Sequence, residues 1–382
     1  MEKIAFVNIE RIQWCCADMG ITLDELAHEI GLSKTALHYL STGEGGLTFN
    51  QLRAIAEHFG RGVLFFLEQA PVNAESFHSP QFRTLANQKP EISAKLKAFI
   101  ERVEKQREVY LSLREDLDAE NRPVFNPPNL EGLSVEQAAN AARQWLGLAD
   151  TNDFESYREA IEAKGVLVFR SNGYNGKWQI AKENPILGFA LYDEVCPVIV
   201  VKKQPWETQQ CFTLMHELGH ILLHKASSID DVNDMYSAQG MEREANAFAG
   251  YLLVTNALLN SVRDDERPND VALFDNWLER QQRACGASIE VILRRLMDAG
   301  RLEARQYSAY RTWREQQVYP EGEGGSRAYR NREPKHVFGD VFVKTVFDAL
   351  YARNITLNKA SDYLDRLKIK DLRKLEQYYA SL

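Results

Sequence analysis

The sequence lacks several features that would place it in a specialised class of protein. No apolar run approaches the roughly 20 residues that cross a bilayer, and the N-terminus has no signal-peptide core, so we expect a cytoplasmic protein without membrane contact. The five cysteines form no CxxC pair, which argues against a disulfide framework or a thiolate zinc knuckle. With a formal net charge of −8, the chain also lacks the overall basic charge of many nucleic-acid-binding proteins.

The 382 residues are too many for one ordinary core, and a hydrophobic share of 45% is typical of globular domains. Hydrophobic periodicity predicts a mainly α protein with a small β-sheet, an α+β architecture. Proline and glycine breaks divide it into an all-α domain at 1–70, a helical linker at 71–125, a mixed domain at 126–318, and a linker with a C-terminal helical unit at 319–382. In the mixed domain we predict a strand at 166–169, a hairpin from 188–192 and 197–201, and helices from there to about residue 313.

The first 70 residues have the pattern of a helix-turn-helix. Apolar residues at helical spacing precede a turn at Gly31, and Ser33 can cap the following helix. The segment from Leu23 to Phe59 resembles the Cro/repressor-type (XRE-like) helix-turn-helix. The resemblance implies a recognition helix that begins at Ser33 and exposes five candidate DNA-binding side chains: Ser33, Lys34, Thr35, His38 and Tyr39.

The charge of this segment leaves its role open. Residues 1–70 carry five basic and nine acidic side chains, a net charge of −4. Phosphate neutralisation supplies most of the affinity of proteins for DNA, and an acidic domain offers little of it. DNA binding through residues 1–70 and a protein-docking or structural role are therefore alternative hypotheses.

Residues from Pro90 to about Glu120 carry a heptad stripe of mostly apolar side chains. The stripe fits a long linker helix packed on its own protein, or the seam of a homodimeric coiled coil. Gln106 interrupts the stripe, which favours the linker helix. The stripe comprises Ile92, Leu96, Phe99, Val103, Gln106, Tyr110, Leu113 and Leu117.

The segment from His216 to His220 has the residue types and spacing of a metal site. A separation of four residues puts both histidines on one face of a helix, where two imidazoles can bind one divalent ion, which we predict to be Zn²⁺. Glu217 is placed to take a proton from a metal-bound water as the catalytic base. The helix is apolar nearly all round and should be buried, where unpartnered histidines are costly. The alternative is a pair of core histidines bonded to backbone carbonyls.

A catalytic zinc site needs a third protein ligand. His224 lies about 12 Å from His216 along the helix axis, so we expect it to support the site without binding the ion. A second helix with small residues at 245 and 249 can pack closely against the first. Its Glu242 shares a face with Asn246, a further supporting residue, whereas Glu244 lies about 200° away, so only one of the two glutamates can point at the ion.

These segments together resemble the ImmA/IrrE family of metallopeptidases over about residues 130–315. The similarity rests on the runs 188–191, 197–201, 212–224 and 242–249. The sequence departs from the family at Val254-Thr255, where a Met-Pro pair is usual. It implies a zincin-like HExxH domain in which His216, His220 and Glu242, the glutamate four residues before Asn246, hold Zn²⁺. It also implies site-specific cleavage of helix-turn-helix repressor proteins.

We therefore predict a zinc-dependent endopeptidase that cleaves a regulatory protein, such as a helix-turn-helix regulator or a neighbouring toxin or antitoxin. A hairpin strand before the motif is expected to pair with the extended substrate. Tyr192, Tyr236 and Tyr251 are candidate oxyanion stabilisers. The alternatives are a transcriptional regulator or antitoxin of a toxin–antitoxin or mobile-element module, whose peptidase-like domain senses or binds a partner, and a helical protein with a vestigial metal site.

Zinc retention in three alanine variants tests the choice of third ligand. Glu242→Ala should lose bound zinc because it removes a ligand, whereas Glu244→Ala and His224→Ala should retain it. The zinc content of each purified full-length protein, measured by elemental analysis, checks this. Equal retention in all three variants would contradict the assignment of Glu242.

Overall fold

The computed structural model describes residues 3–19, 21–59, 61–72, 93–117, 122–148, 153–172, 176–237, 239–317 and 327–380. The chain divides into two compact units, Met1–Lys105 and Gln106–Leu382. The four-part division at residues 70, 125 and 318 remains a prediction, and residues 319–326 of its second linker lie outside the described residues. Within the described part, no helix combines the length and the apolar character needed to cross a membrane.

The first unit is built from short capped helices around one core. Ser33 accepts a hydrogen bond from the Ala36 amide, and Thr48 accepts one from the Gln51 amide, so each begins a helix as the sequence predicts. Leu26, Leu40 and Leu52 meet in the core between these helices. The helices are α1 (Ile9–Met19), α2 (Leu23–Ile30), α3 (Lys34–Thr42) and α4 (Phe49–His58), followed by a 3₁₀ turn at Val63–Phe66.

The predicted exposure of Tyr39 on the recognition helix is wrong. Tyr39 is only 8% exposed and belongs to the core of this unit. Its position, three residues after the buried Ala36 and next to the buried Leu40, puts it on the inner face of α3. Lys34, Thr35 and His38 lie on the exposed face as predicted, together with Ser33.

Helix α5 (Ala94–Asp116) contains most of the predicted heptad stripe, while Ile92 lies outside the described residues. Its apolar members are buried within this chain. Gln106, which interrupts the stripe, donates a hydrogen bond to the Tyr363 carbonyl of the second unit, to which it belongs. These contacts favour the linker helix packed on its own protein. The buried members are Leu96, Phe99, Val103, Tyr110 and Leu113.

The second unit contains a four-stranded mixed sheet in the order β1-β3-β2-β4. Strand β3 runs parallel to β1 and antiparallel to β2, and β2 also pairs antiparallel with β4. The predicted hairpin is therefore present as β2 and β3. The strands are β1 (Leu167–Arg170), β2 (Ile186–Leu191), β3 (Val198–Val201) and β4 (Ser228–Asp231).

Two predictions about this sheet are wrong. We predicted helix throughout the region after the hairpin, but residues 228–231 form an edge strand. This segment has a single apolar residue, Ile229, too weak a signal for sequence periodicity. We also assigned substrate pairing to the hairpin, but β2 and β3 are interior strands with both edges already hydrogen-bonded, and β1 and β4 form the edges of this sheet.

Helices cover both faces of the sheet. On one face, Val168, Ala190 and Ile199 join a core with the helices that precede and follow the strands. On the other, Phe169 contacts Phe338 and Phe342 of α14 edge to face. The helices are α6 (Val135–Leu146), α7 (Phe154–Glu162), α8 (Glu207–Gly219), α9 (Gly240–Leu253), α10 (Asn256–Asn260), α11 (Phe274–Cys285), α12 (Ile289–Asp298), α13 (Ala304–Glu315), α14 (Glu333–Tyr351), α15 (Leu357–Tyr363) and α16 (Ile369–Ala380).

A buried ion pair in α7 fixes α14 to the sheet. The Arg158 guanidinium lies 3.3 Å from the Glu162 carboxylate, and both side chains are 2% exposed. Arg158 also donates to the Val168 carbonyl in β1. It donates as well to the carbonyls of His336 and Val337, just before Gly339, where α14 is kinked. The arginine thus satisfies carbonyls that the kink frees from the helical hydrogen-bond pattern.

Candidate metal centre

The close approach of α8 and α9 builds the candidate metal centre. A Cβ atom at Gly219 would lie 3.2 Å from the Phe248 ring and 3.3 Å from the Ala245 Cα, so glycine at 219 and alanine at 245 allow the two helices to touch. Gly219 follows the first histidine by three residues, and Glu242 precedes Ala245 by three. The contact therefore brings the histidine face of α8 against the glutamate face of α9.

The two histidines and Glu242 lie together as the sequence predicts. The Nε2 atoms of His216 and His220 are 3.1 Å apart. The Glu242 Oε2 atom lies 3.2 Å from the first and 3.3 Å from the second. Both imidazoles are buried, and the Glu242 side chain is 26% exposed.

The edge strand β4 adds a carboxylate that sequence analysis missed. Asp230 is 1% exposed, and its Oδ2 atom lies 3.7 Å from His216 Nε2 and 3.6 Å from His220 Nε2. Ligand atoms from His216, His220, Asp230 and Glu242 all lie within 4.8 Å of one another. Asp230 has no motif neighbour in the sequence, and only its place in the sheet brings it to the histidines.

Glu217 lies on the sheet side of α8, beside Asp230. The Ser228 hydroxyl donates a 2.9 Å hydrogen bond to Glu217 Oε2, while Oε1 has no hydrogen-bond partner among the described residues. Ser228 and Asp230 are two residues apart on β4 and face the helix together. Gly188 is paired with Asp230 across the strands, and a Cβ atom there would lie 2.7 Å from Glu217 Oε1. The glycine therefore provides the space that the Glu217 carboxylate occupies.

The pKa values of the site residues are shifted by burial and by the charged groups that lie close to them. Burial, followed by the nearby charge of Asp230, raises the pKa of Glu217 well above its usual value. Burial alone would lower the pKa of His216, but the carboxylates of Asp230 and Glu242 outweigh it and raise the pKa to about 9. Burial also acts to raise the pKa of Glu242, yet the two imidazoles lower it overall. The pocket thus brings three carboxyl groups against two imidazoles.

A divalent cation fits this donor set. The Oδ2 atom of Asp230 and the Oε2 atom of Glu242 are buried and have no hydrogen-bond partner in the described part of the chain. The imidazoles 3.2–3.7 Å away are the ion-pair partners of these oxygens, and a cation between the carboxylates and the imidazoles would satisfy both. Two imidazole nitrogens with carboxylate oxygens are ligands that zinc accepts.

The predicted supporting residues occupy two different places. The helix widens into a π-helical turn at His220–His224, where His224 Nδ1 lies 3.1 Å from His220 Nδ1 and His224 Nε2 lies 3.2 Å from Glu244. His224 thus contacts the ring nitrogen of His220 that faces away from the cluster. Asn246 instead donates to the Asp234 carbonyl and anchors the segment between β4 and α9.

Two of the three candidate oxyanion tyrosines face arginines. The Arg311 guanidinium lies 4.1 Å from the Tyr236 ring centre, and that of Arg295 lies 3.7 Å from the Tyr251 ring centre. The Tyr192 amide donates to Ser227, just before β4. None of these contacts selects an oxyanion stabiliser.

Comparison with known families finds one match in each of the two units. A peptidase family model described as the IrrE N-terminal-like domain matches residues 162–297. A model described as the Cro/C1-type HTH DNA-binding domain matches residues 11–61. No curated protein and no solved structure matches the chain. The predicted fusion of a Cro/repressor-type helix-turn-helix with an ImmA/IrrE-type peptidase domain is confirmed.

Gly188→Ala should disturb the centre because the added methyl group would also lie 2.9 Å from the Val200 carbonyl, which cannot rotate away as a side chain could. We expect a cost of about 1–3 kcal/mol, the usual range for overpacking, and weaker zinc binding. Thermal unfolding and chelator competition measure the two effects. Gly62→Ala, where a Cβ atom would meet nothing within 4 Å, is the control. If the Gly188 variant were as stable as the wild type, a side chain at 188 would not compete with the Glu217 carboxylate for space.

Proposed function

We propose that the chain is a zinc-dependent endopeptidase that cleaves a regulatory protein. In this proposal His216, His220 and Glu242 hold the zinc ion, and Glu217 is the catalytic base. The proposal rests on one observation: two imidazole nitrogens and a carboxylate oxygen lie within 3.1–3.3 Å of one another, beside the buried Glu217, whose Oε1 atom accepts no hydrogen bond from the described residues.

Zinc, when bound, supplies Lewis acidity that polarises a scissile carbonyl and makes water more acidic. Glu217 takes the proton of the attacking water on its free Oε1 atom. Ser228 holds the other oxygen by its hydrogen bond, so the carboxylate keeps one orientation while it gains and loses a proton. The protonated Glu217 can then donate this proton to the leaving amine.

Strand β4 is the element best placed to bind the substrate backbone. It is an edge of the described sheet, and its Asp230 lies within 3.7 Å of both histidine Nε2 atoms. An extended peptide that pairs with this edge by strand addition would pass beside the cluster. A substrate segment must therefore be able to adopt an extended conformation.

The substrate class follows from the resemblance to the ImmA/IrrE family. That family's implied activity is cleavage of helix-turn-helix repressors, and here a helix-turn-helix is part of the same chain. We propose a helix-turn-helix regulator, or a toxin or antitoxin encoded nearby, as the substrate.

Glu217→Gln should abolish cleavage while zinc remains bound, because the amide cannot take a proton and the ligands are untouched. We expect a loss of at least about a hundredfold in the rate at which the purified protein cleaves a regulator encoded beside its gene. Gel analysis of the regulator and the zinc content of both proteins measure this. Glu207→Gln, the same change at an exposed position of α8, is the control. A wild-type protein that holds no metal, or a Glu217 variant that cleaves normally, would refute the proposal.

A second function, sequence-specific DNA binding, is favoured by the match of residues 11–61 to the Cro/C1-type HTH DNA-binding domain. Lys34, Thr35 and His38 are exposed on α3, whereas Ser33 caps the helix and also contacts Thr35 and Gln51. The chain would then act as a transcriptional regulator or antitoxin whose peptidase-like domain binds or senses a partner.

Lys34→Ala should weaken binding to an operator upstream of the gene, because it removes one cation from the recognition helix. The slope of log affinity against log salt concentration should fall by about one, the equivalent of one phosphate contact. Fluorescence anisotropy across a salt series measures both. Arg53→Ala removes the same charge from the exposed side of α4 and should have less effect. Absence of sequence-specific binding at low salt would refute this function.

A further inference from the structure

The candidate metal centre contains one more ligand group than a zinc peptidase needs. Catalytic zinc sites have three protein ligands and an open position for water, whereas sites with four protein ligands are closed and structural. His216, His220 and Glu242 already provide three. Asp230 is the fourth group, and nothing in the proposed mechanism uses it.

The distances from Asp230 to the two imidazoles are close to those around a tetrahedral ion. Zinc bonds of about 2.0–2.2 Å to nitrogen and oxygen separate the ligands of a tetrahedral site by about 3.3–3.6 Å. The two imidazole Nε2 atoms lie 3.1 Å apart and 3.2 and 3.3 Å from Glu242 Oε2. The Asp230 Oδ2 atom lies 3.7 and 3.6 Å from the same two nitrogens. These five separations lie within about 0.2 Å of that range, and all four ligand atoms lie within 4.8 Å of one another.

The fold holds Asp230 in this place. The register of β4 aligns Asp230 with Gly188 of β2, so no side chain opposite competes for the space. Ile229 points to the other face of the sheet, where it is 2% exposed. The Asp230 Oδ2 atom is buried and has no hydrogen-bond partner among the described residues, as expected of an oxygen whose partner is a metal ion.

We propose that Asp230 is a fourth protein ligand, and that it closes the metal centre in its resting state. The inference rests on the proposed function, since it concerns the same zinc site. It implies that Asp230 must withdraw before water and a scissile carbonyl can reach the ion. Asp230 belongs to the edge strand that is proposed to bind substrate. Pairing of a peptide with β4 would therefore displace the Asp230 carboxylate from the ion.

Cobalt substitution tests whether the fourth position is taken. The full-length wild type, Asp230→Ala and Asp230→Asn are loaded with Co²⁺, and their visible absorption is followed while acetohydroxamate, a metal-binding probe, is added. We expect little change in the wild-type spectrum and a saturable change in both variants, in which the fourth position is open. Zinc affinity, measured by chelator competition, should fall at least about tenfold in Asp230→Ala.

Asp231→Asn is the matched control, because it removes the same charge from the next residue of β4. Its spectrum and zinc affinity should remain those of the wild type. Asp230→Asn preserves the shape of the side chain and decides the question should the alanine variant not fold, as judged by circular dichroism. If the wild-type protein binds Co²⁺, takes up acetohydroxamate as readily as both variants and has the same zinc affinity, Asp230 is not a ligand. The proposed function would remain intact in that case. A wild-type protein that binds neither metal overturns the proposed function as well.

Discussion

The contact between α8 and α9 at Gly219 and Ala245 is the constraint on which the candidate metal centre depends. A larger side chain at either position would separate the two helices, and Glu242 would no longer reach the histidines. The HExxH pattern alone gives two imidazoles on one helix, which is half of a site. The second half arrives only because two small residues let a second backbone come within contact distance.

The sheet imposes a different constraint, on charge. Strand β4 brings Asp230 to the same side of the sheet as Glu217, and Glu242 approaches from α9, so three carboxylates meet two imidazoles in a largely buried space. Such an arrangement is unfavourable for the protein groups alone, because carboxylates in a medium of low polarity repel one another. A bound cation therefore bears on the stability of this unit as well as on its chemistry.

Sequence analysis identified those parts of the site that depend on local spacing. His216 and His220 follow from the helical period, and Glu242 follows from the face it shares along its own helix together with the family resemblance. Asp230 could not be found in this way, because its position depends on the order of the strands and on its pairing with Gly188, which are long-range properties. The interior position of the hairpin was missed for the same reason. The burial of Tyr39 was missed because an aromatic residue on a short helix can face either the core or the solvent.

The kink of α14 limits where the chain can be shortened for expression. Gly339 adopts φ 79° there, and Glu162 fills the space where its side chain would be. The Arg158 guanidinium hydrogen-bonds to main-chain carbonyls beside the kink. A fragment that stops in the predicted linker after residue 318 would leave this arginine and its glutamate facing an uncovered sheet. An expression clone of the peptidase region should therefore include α14, which ends at residue 351, well beyond residues 162–297 that the family model matches.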